Sequence, residues 1–446
     1  MPTPVRRPFH SVLKDFRAGT DSPSAFLDRC LATLDAIEPQ VMAFVHYDAA
    51  AARAAAAQST ARWRAGQPLS PIDGMPVGIK DIIETYDFPT EMGSAYFKGW
   101  RSNRDAASVE GLREAGAVIL GKTVTTEFAT APPGPTRNPW DTNRTPGGSS
   151  SGSAAAAGSG MIVVGLGTQV LGSILRPASF CGCVGFKPSL GAVNRGGSHD
   201  GLSQSVHGAL AASIEDAWIM LREIVDRVGG DPGYGGLIGP SEPPAAMKPK
   251  RLAVIESPGW PKVAPDAIAV FENAVDRLGK AGVTIIRRRA HAGLDKVEHS
   301  LDRTMPVSQA INGWESSWAL KSYRARDPSK LSQFSLDRLA EAETMTLAFF
   351  RERLAEREAI RALYATLKSE CDATITLAAT GPAPTGMGTG DPACVVAGSC
   401  LGVPVISLPV LEVEGLPVGV QLMGFLDADA ALIATARWVQ DTLAAN

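Results

Sequence analysis

A chain of 446 residues is long enough for two or three small domains, or for one large α/β unit with a sizeable core. Its apolar fraction of 45% and charged fraction of 20% are those of an ordinary globular protein, and a net charge of −3 argues against a basic nucleic-acid-binding surface. No run of 18 apolar residues occurs and the N-terminus lacks the apolar stretch of a signal peptide, so a cytoplasmic protein is expected.

The N-terminal region predicts two helices. Ser22 followed by Pro23 is typical of a helix start, and apolar residues then recur at helical spacing up to Pro39. The alanine-rich stretch from Asp48 to Gly66 predicts a second helix, because alanine has the highest helix propensity.

From residue 75 onward, short apolar strands alternate with helical patterns. Strands are predicted at 75–79, 117–120, 252–255, 283–286, 373–377 and 405–408. Helices are predicted at 106–115, 265–281, 336–367, 394–401 and 428–443, with a hairpin-like segment at 416–422. This alternation indicates an α/β fold, with a mixed, mostly parallel central sheet covered by helices on both faces. The Gly- and Pro-rich segment 229–250 indicates a linker or a surface excursion.

One stretch, residues 146–190, is dense in glycine and serine and yet contains an apolar insert. A flexible linker does not carry such inserts. Glycine permits backbone conformations that other residues resist, and it lets N–H groups approach a ligand closely. The stretch therefore predicts a reactive loop, with a capped helix followed by turns as the alternative.

A first interpretation of this stretch is the nucleophile elbow of an α/β-hydrolase esterase. Residues 148–152, GSSSG, match the pattern G-x-S-x-G and would make Ser150 the nucleophile. An elbow follows a buried strand, whereas residues 138–146 have the composition of a loop. It also needs a base histidine, and no histidine lies in a recognisable setting. The elbow is therefore the less favoured interpretation.

A second interpretation comes from three blocks that lie in order along the chain. They are GMPVGIKD at 74–81, GGSS at 147–150 and GTQVLGSI at 167–174. With shorter matches as far as residue 421, the sequence resembles the amidase signature family from about residue 70 to 425. Its pattern is most similar to small bacterial amidases of the malonamidase-like or the aryl-amide- and carbamate-cleaving kind.

The resemblance implies the amidase signature fold in a single domain over residues 1–446. Its predicted parts are N-terminal helices over about 1–70, a signature core over about 71–240, a variable substrate-side region over about 255–370 and a segment that completes the core over about 371–446.

The resemblance also implies a catalytic Ser–cis-Ser–Lys triad. Ser173 would be the nucleophile, Ser149 the relay after a cis Gly148–Ser149 peptide, and Lys80 the base. A serine hydroxyl attacks only when a base takes its proton, and lysine is a base only when neutral, which burial favours. The alternative for Lys80 is an exposed lysine at a strand end, paired with Asp81.

The oxyanion hole implied by the resemblance consists of four backbone N–H groups, those of Val170, Leu171, Gly172 and Ser173. Leu171 departs from the Gly-Gly that the family usually has before the nucleophile. Its side chain either is tolerated or reshapes the acyl pocket towards apolar substrates.

Four residues are candidates for substrate binding. Arg176 either clamps a substrate carboxylate or bonds loop carbonyls. Gln169 lies in the same block as the nucleophile. Trp314 and Trp318 either line an apolar mouth for aryl amides or carbamates, or pack in the core.

We therefore expect the protein to hydrolyse an amide-type carbon–nitrogen bond through an acyl-enzyme on Ser173. The expected substrate is a small or aryl amide, and carbamates (urethanes) and esters are further candidate substrates. The alternative is the glutamine-hydrolysing A subunit of a tRNA-dependent amidotransferase. No cofactor and no metal are expected, because Cys181-Gly-Cys183 lacks the usual metal-ligand spacing. The expected partner is a small-molecule substrate, and no binding to nucleic acid or to a membrane is expected. The sequence is compatible with either a monomer or a homodimer.

Overall fold

The computed structural model describes residues 3–445. Its helices are α1 (Leu13–Ala18), α2 (Pro23–Val41), α3 (Ala49–Arg64), α4 (Ala107–Glu114), α5 (Ser151–Ser159), α6 (Leu175–Cys181), α7 (Ile214–Val228), α8 (Pro265–Lys280), α9 (Ala292–Leu301), α10 (Thr304–Arg326), α11 (Gln333–Glu343), α12 (Leu347–Ala365), α13 (Val396–Leu401) and α14 (Asp429–Ala444). Its strands are β1 (Phe44–Tyr47), β2 (Pro76–Lys80), β3 (Val118–Thr123), β4 (Val164–Gln169), β5 (Val184–Lys187), β6 (Val206–Ala211), β7 (Arg251–Val254), β8 (Thr284–Ile286), β9 (Ala373–Leu377), β10 (Val405–Val413) and β11 (Leu416–Met423).

The strands within residues 3–445 form one eleven-stranded sheet in the order β1-β3-β2-β4-β6-β5-β10-β11-β9-β7-β8. Strands of the first half of the chain, β1 to β6, occupy one side, and β7 to β11 occupy the other. The two sides meet where β5 pairs antiparallel with β10. Parallel pairs lie in two groups, β3-β2-β4 and β9-β7-β8, and the pairs between these groups are antiparallel. The predicted mixed α/β sheet is confirmed.

Strand β6 shows that helices cover both faces of the sheet, as predicted. Ala209 and Ala211 pack into the hydrophobic core that contains α7, whereas Leu210 packs into the second core, which contains α5. This alternation follows from the period of two that places successive side chains on opposite faces of a strand.

The two predicted N-terminal helices are confirmed. The Ser22 hydroxyl accepts from the N–H of Ala25 at 3.2 Å and caps α2, which continues through Pro39 to Val41. Asp48 caps the alanine-rich α3 by accepting from two N–H groups at its first turn.

The charged helical region is two helices rather than the single one that its pattern predicts. Helix α11 ends at Glu343, and α12 begins after Thr346, whose hydroxyl accepts from the N–H of Phe349 at 3.1 Å. The cap satisfies a backbone group that a continuous helix would have paired internally. In the part of the chain that the structure covers, no helix has the length and apolar character of a membrane span.

Candidate active site

The glycine- and serine-rich segment folds as a short helix between two loops. Helix α5 follows the loop at 147–150, and a second loop at 170–174 joins β4 to α6. The loops are hydrogen-bonded to each other, because the N–H of Ser150 donates to the carbonyl of Ser173 at 3.3 Å. Gly147 has φ +80, and a Cβ there would lie 2.8 Å from the Cα of Pro177, so close packing of the first loop against α6 requires glycine.

Lys80 is the last residue of β2 and is fully buried between β3 and β4. Its Nζ donates to the Ser149 hydroxyl and to the Thr168 hydroxyl, each at 2.8 Å. The peptide between Gly148 and Ser149 is cis. Lys80 is therefore not the exposed lysine of the alternative interpretation, and the partner lysine of Asp81 is instead Lys122, at 3.1 Å.

The surroundings of Lys80 favour a neutral amine. Burial lowers the pKa of Lys80 to about 7, and the carboxylate of Asp200 acts in the opposite direction. Asp200 is itself buried and accepts from the hydroxyls of Ser198, at 2.6 Å, and Ser205. Neither Thr168 nor Asp200 was given a role from the sequence. Thr168 lies within the block at 167–174 but is not one of the triad or oxyanion residues that the resemblance implies, and Asp200 lies outside the three blocks.

Ser173 lies half-buried in the second loop. Within residues 3–445, Lys80 is hydrogen-bonded to Ser149, whereas Ser149 is not hydrogen-bonded to Ser173. The hydroxyl of Ser150, the nucleophile of the elbow interpretation, is buried and bonds both backbone groups of Thr168. None of its hydrogen bonds in that same part of the chain is to a histidine.

In the loop at 170–173, the backbone carbonyls are hydrogen-bonded within the described residues and the backbone N–H groups are not. The four carbonyls accept, in chain order, from Gln204 Nε2 at 3.2 Å, Ser399 Oγ at 3.2 Å, the N–H of Arg176 at 3.1 Å and the N–H of Ser150 at 3.3 Å. None of the four N–H groups donates to an acceptor within residues 3–445. Backbone N–H groups that have no acceptor in the protein are available to a ligand, which is what the predicted oxyanion hole requires.

The Gln169 side chain is hydrogen-bonded to the end of the same loop. Its Oε1 accepts from the N–H groups of Ile174 at 2.9 Å and Leu175 at 3.1 Å, and its Nε2 donates to Ser399 Oγ at 2.9 Å. The side chain is fully buried, so its amide is engaged by the protein on both sides. Ser399 belongs to α13, far along the chain, and no sequence pattern pointed to it.

Arg176 is buried beside the two loops. Its Nε donates to the carbonyl of Thr389 at 2.6 Å, and its Nη2 donates to the carbonyl of Gly148 at 2.7 Å. Two of its three guanidinium nitrogens are thus engaged by backbone carbonyls, as in the second of the two roles considered for it.

Trp314 and Trp318 line a cleft of about 650 Å³ between α10, the start of α12 and the loop at 201–203. Trp314 stacks on Phe350 with ring centroids 5.3 Å apart, and Trp318 is 75% exposed, so Trp318 is not a core residue. The cleft is lined by none of the three predicted triad residues. Its wall at 201–203 lies next to Gln204, which bonds the loop of Ser173.

A second aromatic group includes Phe128, which lies two residues after a hydrogen-bond donor to Ser149. Phe128 stacks on Tyr323 with ring centroids 5.4 Å apart, and the N–H of Thr126, two residues earlier, donates to the carbonyl of Ser149 at 3.3 Å. Phe128 and Ala129 both have left-handed backbone conformations, with φ of 48° and 58°. Residues other than glycine adopt such conformations mainly where the surrounding fold or a function requires them. Phe128 lies in one of the shorter sequence matches to the family, but no role was predicted for it.

The six cysteines are buried free thiols. Across residues 3–445, no three His, Cys, Asp or Glu side chains are grouped so that they could hold a metal ion.

Comparison with known proteins shows the family. A family model described as Amidase matches residues 25–433, and the chain belongs to this amidase family, which confirms the family resemblance of its sequence blocks. The A subunit of a glutamyl-tRNA(Gln) amidotransferase from Chloroflexus aggregans is 30% identical over 93% of this chain and 92% of that protein. Its counterpart from Koribacter versatilis, which bears the same name, is 31% identical over 92% of this chain and 93% of that protein.

Solved structures agree with the fold. A crystal structure described as an amidase has a TM-score of 0.85 and 26% identity, covering 98% of this chain and 99% of that one. The native peptide amidase from Stenotrophomonas maltophilia, at 24% identity, has a TM-score of 0.75 over 97% of this chain and 96% of that one.

Proposed function

We propose that this amidase-family enzyme hydrolyses the carbon–nitrogen bond of a small or aryl amide through an acyl-enzyme on Ser173, with Ser149 and Lys80 as the proton relay. The observation that carries the proposal is the buried contact of 2.8 Å between Lys80 Nζ and the Ser149 hydroxyl. A lysine amine placed in a buried site and directed at a hydroxyl has the arrangement of a general base.

The first half of the reaction forms the acyl-enzyme. As the Ser173 oxygen bonds to the carbonyl carbon, its proton passes to Ser149, and the proton of Ser149 passes to the neutral amine of Lys80. The negative charge that develops on the carbonyl oxygen is stabilised by N–H groups of residues 170–173, and losing one such donor costs on the order of 3 kcal/mol of transition-state stabilisation.

The second half releases the products. The tetrahedral intermediate collapses, the carbon–nitrogen bond breaks, and the leaving nitrogen takes the proton back from Lys80 through Ser149. Water then attacks the ester of Ser173, with the same relay removing the water proton and returning a proton to Ser173. Carbamates and esters follow the same steps with other leaving groups.

Three features support an uncharged, apolar substrate. Arg176 gives two of its three guanidinium nitrogens to backbone carbonyls, and within residues 3–445 Nη1 alone has no partner, so the side chain is engaged mainly by the protein itself. Leu171 places an aliphatic, partly exposed side chain beside the nucleophile. The cleft at Trp314 and Trp318 offers aromatic surface of the kind that binds aryl groups.

The decisive experiment compares Ser173→Ala with Ser150→Ala. We expect Ser173→Ala to lose hydrolysis of an anilide and to lose labelling by a fluorophosphonate probe, whereas Ser150→Ala keeps the label. Peptide mapping of the labelled wild-type protein then identifies the modified serine. A label on Ser150 would support the elbow interpretation instead.

A second candidate function is glutamine hydrolysis within an amidotransferase. It is favoured by the match over nearly the full length to relatives that are named as the A subunit of a glutamyl-tRNA(Gln) amidotransferase. In that role the chain would release ammonia from glutamine and would need further subunits. A substrate panel of glutamine, an anilide, a half-amide with a carboxylate, a carbamate and an ester separates the two candidates, and turnover of glutamine alone would favour the second.

A further inference from the structure

The guanidinium of Arg176 is a charged group that the proposed mechanism does not use. Burial lowers the pKa of Arg176 to about 10, and nearby Asp391 acts in the opposite direction, so the side chain is charged at neutral pH. A buried charge is costly unless hydrogen bonds compensate for the lost water. The groups that provide those bonds therefore show what the charge stabilises.

Three pieces of the chain meet at this guanidinium. Nε bonds the carbonyl of Thr389, and Nη2 bonds the carbonyl of Gly148, the residue before Ser149. Nη1 lies 3.2 Å from the position that a Cβ would occupy on Gly172 in the loop of Ser173. Nη1 is buried and has no hydrogen-bond partner within residues 3–445. Arg176 thus faces both loops at once.

The segment at 384–395 packs over the same two loops. The Cγ2 of Thr389 lies 2.8 Å from the Cβ position of Gly148, and the Cγ2 of Val395 lies 2.3 Å from the Cβ position of Gly172. Because both loop residues are glycines, the segment can approach this closely. A planar guanidinium with donors in a fixed fork holds two carbonyls at a defined separation, which a flexible ammonium does not.

We propose that Arg176 is a positioning residue. Its guanidinium joins the Gly148–Ser149 peptide to Thr389, and its own backbone N–H donates to the carbonyl of Gly172 in the loop of Ser173, so that the relay hydroxyl is fixed relative to the nucleophile. This inference rests on the proposed function, because it assumes that Ser149 and Ser173 act together. In this role Arg176 touches no substrate, and its effect is the same for substrates of any charge.

The test measures kcat and KM for the wild type, Arg176→Ala and Arg176→Lys, with a neutral anilide and with a half-amide that bears a carboxylate. We expect Arg176→Ala to lower kcat about 100-fold on both substrates with KM little changed, because a displacement of about 1 Å between reacting groups costs this order of rate. Arg176→Lys should recover only part of the loss. Added guanidinium ion should restore part of the kcat of Arg176→Ala, which a general loosening of the fold would not allow.

Arg144→Ala is the matched control. Arg144 Nη1 bonds the carbonyl of Ala383 at 2.7 Å and so anchors the neighbouring stretch of chain, but within residues 3–445 it makes no hydrogen bond to Gly148 or Gly172. We expect Arg144→Ala to keep the kcat of the wild type.

An unchanged kcat in Arg176→Ala, or a rise in KM confined to the anionic substrate, would overturn the proposal. If Arg176→Ala does not fold, the kcat of Arg176→Lys is the test instead. A wild-type kcat in Arg176→Lys would overturn the proposal. Failure of the proposed function is distinguishable, since the wild-type protein would then not be labelled at Ser173.

Discussion

A lysine amine becomes a base only after it loses its proton, and the environment of Lys80 sets the pH at which this happens. Burial lowers its pKa to about 7, while Asp200 favours the charged form. Burial opposes the ionisation of Asp200, but His207 and the hydroxyls of Ser198 and Ser205 outweigh it and hold the pKa of Asp200 below its usual value. The carboxylate therefore remains charged over the range in which Lys80 titrates.

The pH dependence of kcat/KM follows from this balance. Below about pH 7 we expect kcat/KM to fall by about tenfold per pH unit, because protonated Lys80 cannot accept the proton of Ser149, and above it we expect a plateau. Asp200→Asn removes the group that favours the ammonium, so the acid limb should move to lower pH. The measurement is kcat/KM against pH for an anilide without ionisable groups, and an acid limb that moves to higher pH in Asp200→Asn would contradict it.

Helix α5 contains only serine, alanine and glycine, and all nine of its residues are buried. Small side chains let it approach neighbouring backbone closely, which places the loop before it against the loop of Ser173. A Cβ on Gly152 would lie 2.1 Å from the carbonyl oxygen of Ala43 and 2.4 Å from the backbone nitrogen of Val124. Neither backbone atom can move aside without shifting a neighbouring segment.

Gly152→Ala is therefore expected to lower the free energy of unfolding by about 1–3 kcal/mol or more, through overpacking. Gly279→Ala is the matched control inside another helix, α8, because the nearest atom to a Cβ there is 3.7 Å away. That control should leave stability unchanged or raise it by up to about 1 kcal/mol. Urea unfolding followed by tryptophan fluorescence compares the two, and equal stability changes would show that the contact of α5 is not tight.

The two halves of the sheet come from the two halves of the chain, and the candidate active site contains residues from both. Lys80, Ser149 and Ser173 belong to the side of β1 to β6. The carbonyl of Thr389, which accepts from Arg176, and the hydroxyl of Ser399, which donates to the carbonyl of Leu171, belong to the side of β7 to β11. The pairing of β5 with β10 joins these halves through an interface within the core.

The dependence of the candidate site on the second half of the chain can be tested by dividing the chain within the exposed stretch at 240–242. Fragment 1–241 alone should have no amidase activity although it contains all three residues of the proposed triad, because its two loops lack the contacts with Thr389 and Ser399. Co-expression with fragment 242–446 should restore activity in a complex that co-purifies. Full activity of fragment 1–241 by itself would refute this dependence.

The sequence by itself determined much of the local structure and the family. Capping residues and helical spacing predicted α2 and α3, since these signals depend on neighbours within a few positions. The alternation of strand and helix patterns indicated an α/β fold, and the ordered blocks at 74–81, 147–150 and 167–174 indicated the family. The division of the molecule into the four predicted parts, and the roles of the triad and oxyanion residues, stay predictions.

Only the tertiary structure decided which groups surround the site. The amine of Lys80 is hydrogen-bonded to Thr168, which lies 88 positions away along the chain. The guanidinium of Arg176 is hydrogen-bonded to Thr389, which lies 213 positions away. The tertiary structure also gives the centre of the sheet its antiparallel pairs and engages Gln169 with the loop of Ser173. Such contacts arise when strands and loops distant along the chain pack together, and no pattern of neighbouring residues encodes them.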